Sequence, residues 1–225
     1  NPHRRPQHHP RRMTDTLTSH DIEEGELPEG WVANNLAEAA EVVMGQSPPG
    51  STYNENGAGM PFFQGKAEFG ALHPSVRKWT TAGKRFAQVG DILMSVRAPV
   101  GPTNLADIDC VIGRGLAAIR AREHVDQAFL LWNLRHFEDE IAARGTGTTF
   151  DSISGGALRS QNVNIPPLLE QERIVEILED QLSRLDASLA VADAVEERSA
   201  ALRRSLLHSA FTGRLTSGWR EAVNV

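Results

Sequence analysis

The sequence predicts an α+β fold, in which a mixed α/β domain is followed by a long C-terminal helix of the coiled-coil type. Two observations favour this arrangement. Short strand-like runs, broken by turn residues and accompanied by one or two helical segments, fill residues 27–166. Beyond Pro166 and Pro167 the chain contains no proline or glycine until Gly213, so nothing there interrupts a helix.

The bulk composition is that of a globular protein. Of the 225 residues, 40% are hydrophobic and 23% are charged, which argues against wholesale disorder. The formal net charge of −6 argues weakly against a nucleic-acid binder, since such proteins usually have a basic surface. The single cysteine, Cys110, excludes an intramolecular disulfide and a cysteine-rich metal site, and its apolar neighbours predict a core position.

The hydropathy of the chain and its N-terminal region indicate where in the cell the protein is expected. No window approaches ~18 consecutive apolar residues, so no membrane span is predicted. The N-terminal region carries arginines but lacks the apolar core of a secretory signal. We therefore expect a cytoplasmic protein. Residues 1–26 contain almost no apolar side chains and are interpreted as a disordered leader.

Residues 27–166 are predicted to form the folded domain. Apolar runs next to turn signals predict strands at 41–44, 92–96, 110–112, 115–120 and 163–165. Between His124 and Ala143, apolar residues recur at helical spacing, which predicts one helix. These residues are Phe129, Leu130, Leu134, Phe137 and Ile141.

Residues 167–212 are predicted to form a single helix, followed by a tail at 213–225. About forty helical residues span on the order of 60 Å, whereas helices within one small domain typically have ~8–20 residues. The first apolar residues are separated by steps of four or three residues, so they form a narrow seam that needs a partner helix. The predicted seam comprises Ile174, Leu178, Leu182, Leu185, Leu189, Leu202 and Leu206.

The seam is interrupted in its second half. Continued beyond Ala192, the spacing meets Glu196 and Arg203, whereas a shift by one residue restores Val195 and Leu202. The break indicates either a register adjustment or charged side chains that pair across the helices or contact another subunit.

The chain lacks a recognisable catalytic set. Segment 59–67 superficially resembles a phosphate-binding P-loop, but it has one residue too many between its glycines, and Ala67 cannot ligate magnesium. The turn from Gly113 to Gly115 lacks the third glycine of a dinucleotide-binding motif. Zinc-protease, paired-cysteine and nucleophile-elbow motifs are missing from the sequence. We therefore predict that the chain is not an enzyme by itself.

Residues 66–97 are basic although the whole chain is acidic. Six lysines and arginines stand against two acids, a charge of +4 (six minus two). Aromatic and hydrogen-bonding residues are interleaved, as expected where Lys and Arg hold phosphates and other side chains read base edges. Composition leaves two interpretations open, namely a DNA-contacting surface and a mixed-charge surface around an ordinary sheet.

Short motifs, taken in order, connect these features to a known family. They are Leu27-Pro28-Glu29-Gly30-Trp31, Tyr53-Asn54, Pro61-Phe62-Phe63-Gln64-Gly65-Lys66, Gly90-Asp91-Ile92-Leu93-Met94-Ser95-Val96-Arg97-Ala98-Pro99-Val100-Gly101, Gly113-Arg114-Gly115-Leu116-Ala117-Ala118-Ile119, Gly145-Thr146-Gly147-Thr148-Thr149-Phe150, Pro166-Pro167-Leu168-x-Glu170-Gln171-x-x-Ile174-Val175 and Ala210-Phe211-Thr212-Gly213-Arg214-Leu215. Together they resemble the specificity subunit (HsdS) of type I restriction–modification systems over about residues 27–220.

The resemblance implies a role without covalent chemistry. Residues 27–166 would form a target recognition domain that reads one half of a split double-stranded DNA site. The helix would be a spacer that packs antiparallel on a second helix and docks the methyltransferase (modification) subunit. S-adenosylmethionine, ATP and Mg are implied on the modification and restriction subunits, so no cofactor is expected on this chain.

The sequence departs from the family pattern by having one recognition domain and one spacer helix, where two of each are usual. A natural half-length subunit, a truncated gene and a fragment are three explanations. A homodimer formed through the long helix would read a split palindrome, whereas pairing with a different half subunit would read an asymmetric site.

Arg97 and Arg114 are the first candidates for DNA contact, because each stands beside glycine or proline where a loop can approach the duplex closely. Arginine can grip a guanine edge with two hydrogen bonds, at roughly 1–3 kcal/mol of discrimination. The alternative for both is a structural arginine that ties carbonyl groups in a tight turn. Gln64 and Lys66 are further candidates, with Lys66 expected on phosphate rather than on a base.

Other candidates come from the basic stretch and from the loop that precedes the long helix. Lys78, Lys84 and Arg85 are expected to contact DNA. The hydroxyls of Thr146 and Thr148 are candidates for phosphate binding, with a hinge role as the alternative. Two rival functions remain: a stand-alone nucleic-acid-modifying enzyme with an unrecognised site, and a helical adaptor or inactive truncated remnant.

Overall fold

The computed structural model describes residues 27–146 and 151–222. The leader predicted at 1–26 and the candidate contact Thr148 lie outside the described residues. We call residues 27–167 the head and the long helix that follows it the arm.

The centre of the head is a four-stranded antiparallel sheet with the strand order β2-β10-β7-β8. Its strands are β2 (Ala40–Met44), β7 (Ile92–Val96), β8 (Val100–Leu105) and β10 (Leu116–Ala121). Every residue of β7 is buried, because both faces of this sheet are covered. Ile92 and Met94 belong to one hydrophobic cluster and Leu93 to another, as the two-residue period of a strand requires.

A second sheet has the strand order β3-β5-β4-β9-β6. Its strands are β3 (Tyr53–Asn54), β4 (Met60–Phe63), β5 (Trp79–Thr80), β6 (Phe86–Ala87) and β9 (Cys110–Ile112). Strands β4 and β9 are parallel, and the other pairs are antiparallel. Phe63, Cys110 and Leu116 pack together in the second cluster, so the predicted core position of Cys110 is confirmed.

Two helices cover the other face of the central sheet. They are α2 (Gln127–His136) and α3 (Glu138–Ala143), and both contact β8. The prediction of one helix between His124 and Ala143 is therefore wrong, because the segment forms two consecutive helices. The chain leaves helical geometry at Phe137 (φ −92°, ψ 15°), which ends α2 and precedes α3. Asp126 sets the start of α2, since its Oδ1 accepts a hydrogen bond from the Phe129 amide at 2.7 Å.

A two-stranded sheet joins the beginning of the head to its end. It pairs β1 (Val32–Asn35) antiparallel with β11 (Asn162–Ile165), with Val32 opposite Ile165. Two short helices flank it, α1 (Leu36–Ala39) and α4 (Gly155–Arg159). The strand predicted at 163–165 is confirmed, and the arm starts three residues after β11.

The arm is α5 (Leu168–Phe211), a single helix of 44 residues. At ~1.5 Å per residue it extends for about 66 Å. Gly213 adopts a positive φ of 73° just beyond its end, a conformation that favours glycine. A short helix, α6 (Ser217–Ala222), lies within the segment predicted as a tail. The α+β class and the long C-terminal helix are confirmed.

Candidate nucleic-acid interface

Strand direction brings several basic segments of the second sheet to one edge. The parallel strands β4 and β9 both end there, at Phe63 and Ile112. Strands β5 and β6 run antiparallel to β4 and β9, so their first residues, Trp79 and Phe86, lie at the same edge. The residues that follow β4 and β9 and those that precede β5 and β6 therefore become neighbours.

The central sheet contributes to this edge as well. Residues 113–115 link the end of β9 to the start of β10. The Gly113 amide donates to the Phe63 carbonyl at 2.7 Å, and the Val96 amide donates to the Gly115 carbonyl at 2.9 Å. These bonds join the ends of β4, β7 and β9 to the start of β10. We call this common edge, with the loops that leave it, the basic edge.

Arg114 lies in the tightest of these loops. A Cβ atom at Gly115 would lie 2.2 Å from the Gln64 carbonyl oxygen, and one at Gly45 would lie 2.1 Å from the Gly113 carbonyl oxygen. Only glycine permits both approaches. The Arg114 amide donates to Ser47 Oγ at 3.2 Å, while its side chain is exposed. The backbone is thus held in place and the guanidinium is presented to solvent.

Arg97 follows the end of β7 in an equally well-held turn. The Ser95 hydroxyl lies 3.0 Å from the Arg97 carbonyl oxygen and 2.7 Å from that of Pro99. The Ala98 amide donates to the Asp151 carbonyl at 3.0 Å. The Arg97 side chain is exposed, and among the described residues neither its guanidinium nor that of Arg114 forms a hydrogen bond or an ion pair.

Gln64 and Lys66 lie directly beside the Arg97 turn. The two side chains, together with Ala98 and Pro99, line an open depression of about 640 Å³. Gln64 is half-buried and Lys66 is exposed. The Gly65 amide between them donates to Glu68 Oε2 at 3.1 Å, which holds the loop in shape.

The remaining lysines and arginines flank the strand ends. The Lys78 carbonyl accepts a hydrogen bond from the Phe62 amide at 2.9 Å, and the Arg85 carbonyl accepts one from the Ile112 amide at 3.0 Å. Lys84 is exposed and stands immediately before Arg85. The Lys78 and Arg85 backbones are thus tied to the edge, so these two side chains start from defined positions.

Thr146 lies at the basic edge through its pairing with Ser152, where the two residues exchange backbone hydrogen bonds of 2.9 and 3.2 Å. Ser152 in turn forms a bridge with Arg97. Thr146 is exposed. Ser47 and Arg77 also belong to this edge. Arg77 is one of the six basic residues of 66–97 but was not predicted as a contact, and Ser47 is brought here only by its hydrogen bond to Arg114.

The charge at the basic edge is opposite in sign to that of the whole chain. Seven cations stand there, at Lys66, Arg77, Lys78, Lys84, Arg85, Arg97 and Arg114. Three acids, Glu55, Glu68 and Asp151, lie in loops at the same edge, so the local charge is +4 (seven minus three). The acidic total of the chain therefore does not argue against an anionic ligand at this edge.

Other arginines of the head are occupied in structural contacts. Arg159 Nη2 donates to the Val42 carbonyl at 2.7 Å, and Arg144 Nη1 donates to Gln161 Oε1 at 2.7 Å. Arg120 binds the buried carboxylate of Asp91, and this hydrogen bond raises the Arg120 pKa. Unlike these three, Arg97 and Arg114 keep their charge available.

Most of the predicted seam residues of the arm are exposed to solvent. Leu178, Leu185, Leu189, Leu202 and Leu206 are exposed, and Leu182 is half-buried. Ile174 differs, because it packs against the core of the head and so already has a contact surface within this chain.

Comparisons with known proteins agree with this architecture. The family model described as the type I restriction modification DNA specificity domain matches residues 28–190. The chain belongs to this family. The recognition of a type I specificity subunit from the motifs is therefore confirmed.

Individual members of the family are also similar to this chain in sequence and in structure. The MjaX type I restriction enzyme specificity subunit of Methanocaldococcus jannaschii is 36% identical over 194 residues, which are 85% of this chain and 45% of the relative. The crystal structure of the HsdS subunit from Thermoanaerobacter tengcongensis is 45% identical, with a TM-score of 0.68, and covers 73% of this chain and 40% of that chain.

A structure from work on the assembly and conformational transition of a type I restriction–modification system is also 45% identical. Its TM-score is 0.75, and the match covers 84% of this chain and 48% of that chain. The chain thus spans slightly less than half the length of these matched proteins, and its described residues form one head and one long helix.

Two features that indicate other classes of function are missing from the described residues. None of the described helices combines the length and apolarity that crossing a bilayer requires. Within residues 27–146 and 151–222, no group of His, Cys, Asp and Glu side chains is arranged to hold a metal ion.

Proposed function

We propose that this chain recognises one half of a bipartite double-stranded DNA sequence as the specificity component of a type I restriction–modification complex. The observation that carries the proposal is the convergence of seven cations on one edge of a head whose chain has a net charge of −6. Family membership supports the same role.

Two kinds of contact are expected at the basic edge. Arg97 and Arg114 stand on short, internally bonded loops, which suits the reading of base edges in a groove because the side chain starts from a fixed point. Lys66, Lys78 and Lys84 are better suited to phosphates, which fix register and orientation. Thr146 and Thr148 remain candidates for phosphate contact.

The arm is proposed to pair with a second arm. Beyond its first turns, the seam leucines have nothing to pack on within the described chain, and exposed leucines at three-four spacing are typical of a helix that meets another helix. Pairing would bury them in a hydrophobic interface.

The charge distribution along the arm favours an antiparallel arrangement. Residues 170–186 contain six acids and two arginines, a charge of −4 (two minus six). Residues 198–211, the last part of the arm, contain three arginines and no acid. Antiparallel pairing places the acidic segment of one arm beside the arginine-rich segment of the other, whereas parallel pairing places like charges together.

The partner arm comes from a second copy of this chain or from a different recognition unit of the same kind. In a homodimer, two identical heads would lie at opposite ends of the paired arms and would read a split palindrome. Two different heads would read an asymmetric bipartite site.

Chemistry is proposed to belong to the partner subunits. The modification subunit would use S-adenosylmethionine to methylate the site, and the restriction subunit would use ATP and Mg to act on unmethylated DNA. This chain would direct both to the sequence and would bind no cofactor itself. The rival function is a stand-alone nucleic-acid-modifying enzyme, which would modify DNA without these subunits.

Co-expression with a type I methyltransferase subunit tests the proposal. The complex should methylate adenines at one bipartite sequence, which methylation-sensitive sequencing of host DNA would reveal. Purified chain incubated with DNA, Mg and S-adenosylmethionine should leave DNA unmodified. Modification by the isolated chain would instead support the enzyme alternative, and the absence of any stable complex would support an adaptor or an inactive remnant.

A further inference from the structure

Gln171 occupies an unusual place in the arm. Gln171 is the only buried residue among the 44 residues of α5, and solvent does not reach its side chain. Glutamine is mostly found on protein surfaces, so a fully buried one in the first turn of an exposed helix requires an explanation.

The side-chain amide of Gln171 joins three separate points of the chain. Its Oε1 accepts a hydrogen bond from the Asp126 amide at 2.8 Å, and its Nε2 donates to the carbonyls of Pro166 at 2.8 Å and His124 at 3.1 Å. Asp126 is also the residue that caps α2. Gln171 therefore ties the first turn of the arm to the start of a core helix.

Further contacts surround this amide. Trp31 Nε1 donates to Glu170 Oε1 at 3.2 Å, and a Cβ atom at Gly30 would lie 3.3 Å from Pro167 Cγ. Ile174 packs on the hydrophobic core one turn further along. We call this set of contacts, centred on Gln171, the joint. It resists tilting of the arm in more than one direction, because the contacts lie on different elements.

We propose that Gln171 is a positioning residue that fixes the angle between head and arm and thereby sets the length of the unread gap between the two DNA half-sites. This inference rests on the proposed function, in which paired antiparallel arms hold two heads on one duplex. The length of the arm alone does not define the distance between the two heads, because that distance also depends on the angle between head and arm at each end.

The geometry makes the gap sensitive to small changes at the joint. An arm of ~44 residues is about 66 Å long, so a tilt of about 3° displaces its far end by about 3.4 Å, the rise of one base pair. The partner's head lies near that far end in the antiparallel arrangement. A loosened joint should therefore admit gaps one base pair longer or shorter without changing how either head reads its half-site.

Distance measurements test the joint without DNA. Spin labels are placed at Gln88→Cys on the head and Ala187→Cys on the arm, in full-length chain diluted with unlabelled chain; native Cys110 is buried and stays unlabelled. Gln171→Met keeps the side-chain length but removes the amide, so the head-to-arm distance distribution should broaden. Gln181→Met, an exposed glutamine on the same helix, should leave the distribution unchanged.

Trp31→Phe provides a second, milder variant, since it removes the N–H that donates to Glu170 but keeps an aromatic ring and leaves the Gln171 bonds in place. It should broaden the distribution less than Gln171→Met does. A folded Gln171→Met chain with the wild-type distribution overturns the proposal. If Gln171→Met fails to fold, a Trp31→Phe distribution as narrow as that of the wild type overturns it in the same way.

Gap length is then measured with the assembled methyltransferase on a library of DNA with randomised sequence. The wild-type complex should methylate sites of one gap length, and the Gln171→Met complex should also methylate sites one base pair longer or shorter with unchanged half-sites. An unchanged gap despite a broader distance distribution overturns the gap-setting role. Absence of methylation by the wild-type complex counts against the proposed function instead, while the distance measurement still decides on the joint.

Discussion

Arg120 and Asp91 form a two-pronged ion pair across the central sheet, with Arg120 Nε 2.8 Å from Asp91 Oδ1 and Nη2 2.8 Å from Oδ2. Asp91 is 2% exposed and also accepts a hydrogen bond from the Gln88 amide at 2.8 Å. The pair lies at the edge of the central sheet opposite the basic edge, since Asp91 precedes the first residue of β7 and Arg120 is near the end of β10. It ties β7 to β10 at that end of the head and leaves the basic edge free of this contact.

Asp91→Ala should destabilise the head by about 2 kcal/mol, because it leaves the Gln88 amide and the Arg120 guanidinium without their partner. Urea unfolding followed by circular dichroism would measure the loss. Glu41→Ala is the matched control: this exposed carboxylate lies 3.4 Å from Arg120, and its removal should cost less than about 1 kcal/mol. Equal losses for both variants would contradict a dominant role for Asp91.

Arg97→Ala and Arg114→Ala should each weaken site-specific DNA binding by the assembled complex by about 5- to 150-fold, equivalent to roughly 1–3 kcal/mol. Their thermal melting temperatures should not change, since neither guanidinium stabilises the described fold. Fluorescence anisotropy with the cognate duplex would measure affinity. Arg122→Ala, an exposed arginine that donates to the Ala37 carbonyl, is the control and should bind normally. A loss of stability in step with affinity would make the tested arginine structural.

Gly115→Ala should cost about 2 kcal/mol of folding free energy, because the new methyl group would lie 2.2 Å from the Gln64 carbonyl oxygen. Gly65→Ala has open space around its Cβ position and no positive φ, so it should be nearly neutral. Chemical denaturation of the two variants gives the comparison. A neutral Gly115→Ala would show that the loops of the basic edge separate more easily than their contacts indicate.

Cys110 should be unreactive in the folded protein. Burial raises the pKa of its thiol to about 12, so almost no thiolate exists at pH 8, whereas an ordinary cysteine has a pKa of about 8.5. Ellman's reagent at pH 8 should therefore detect no thiol in the native chain and one in the denatured chain. Rapid reaction under native conditions would mean that the second hydrophobic cluster opens frequently.

Leu185→Glu should abolish pairing of the arm, because it places a charge in the proposed seam. Sedimentation equilibrium would show a shift toward the unpaired species, while the melting of the head stays as in the wild type. Ala187→Glu changes the arm two residues further on, on the opposite side of the helix, and should leave pairing intact. If both substitutions have the same effect, the leucine seam is not the pairing surface.

Local pattern predicted several elements well and failed at others for identifiable reasons. The strand at Ile92–Val96 and the helix at Leu168–Phe211 were predictable, because a buried apolar run and a long stretch without Pro or Gly are local signals. Strand β8 (Val100–Leu105) was not, since it contains Gly101 and Pro102 and is specified by its pairing with β7. The break at Phe137 was missed because helical spacing continues through it.

The sequence by itself determined that a long, narrow-seamed helix follows a globular head, and that a basic stretch lies within an acidic chain. Only the tertiary structure decided that Arg97 and Arg114 meet Lys66 and Arg85 at one edge, whereas Arg120 is committed to Asp91 and Gln171 to the joint. The physical reason is that helices form from contacts three and four residues apart, which a sequence displays directly. Strand pairing and a buried amide depend on residues far apart in the chain, which no local pattern records.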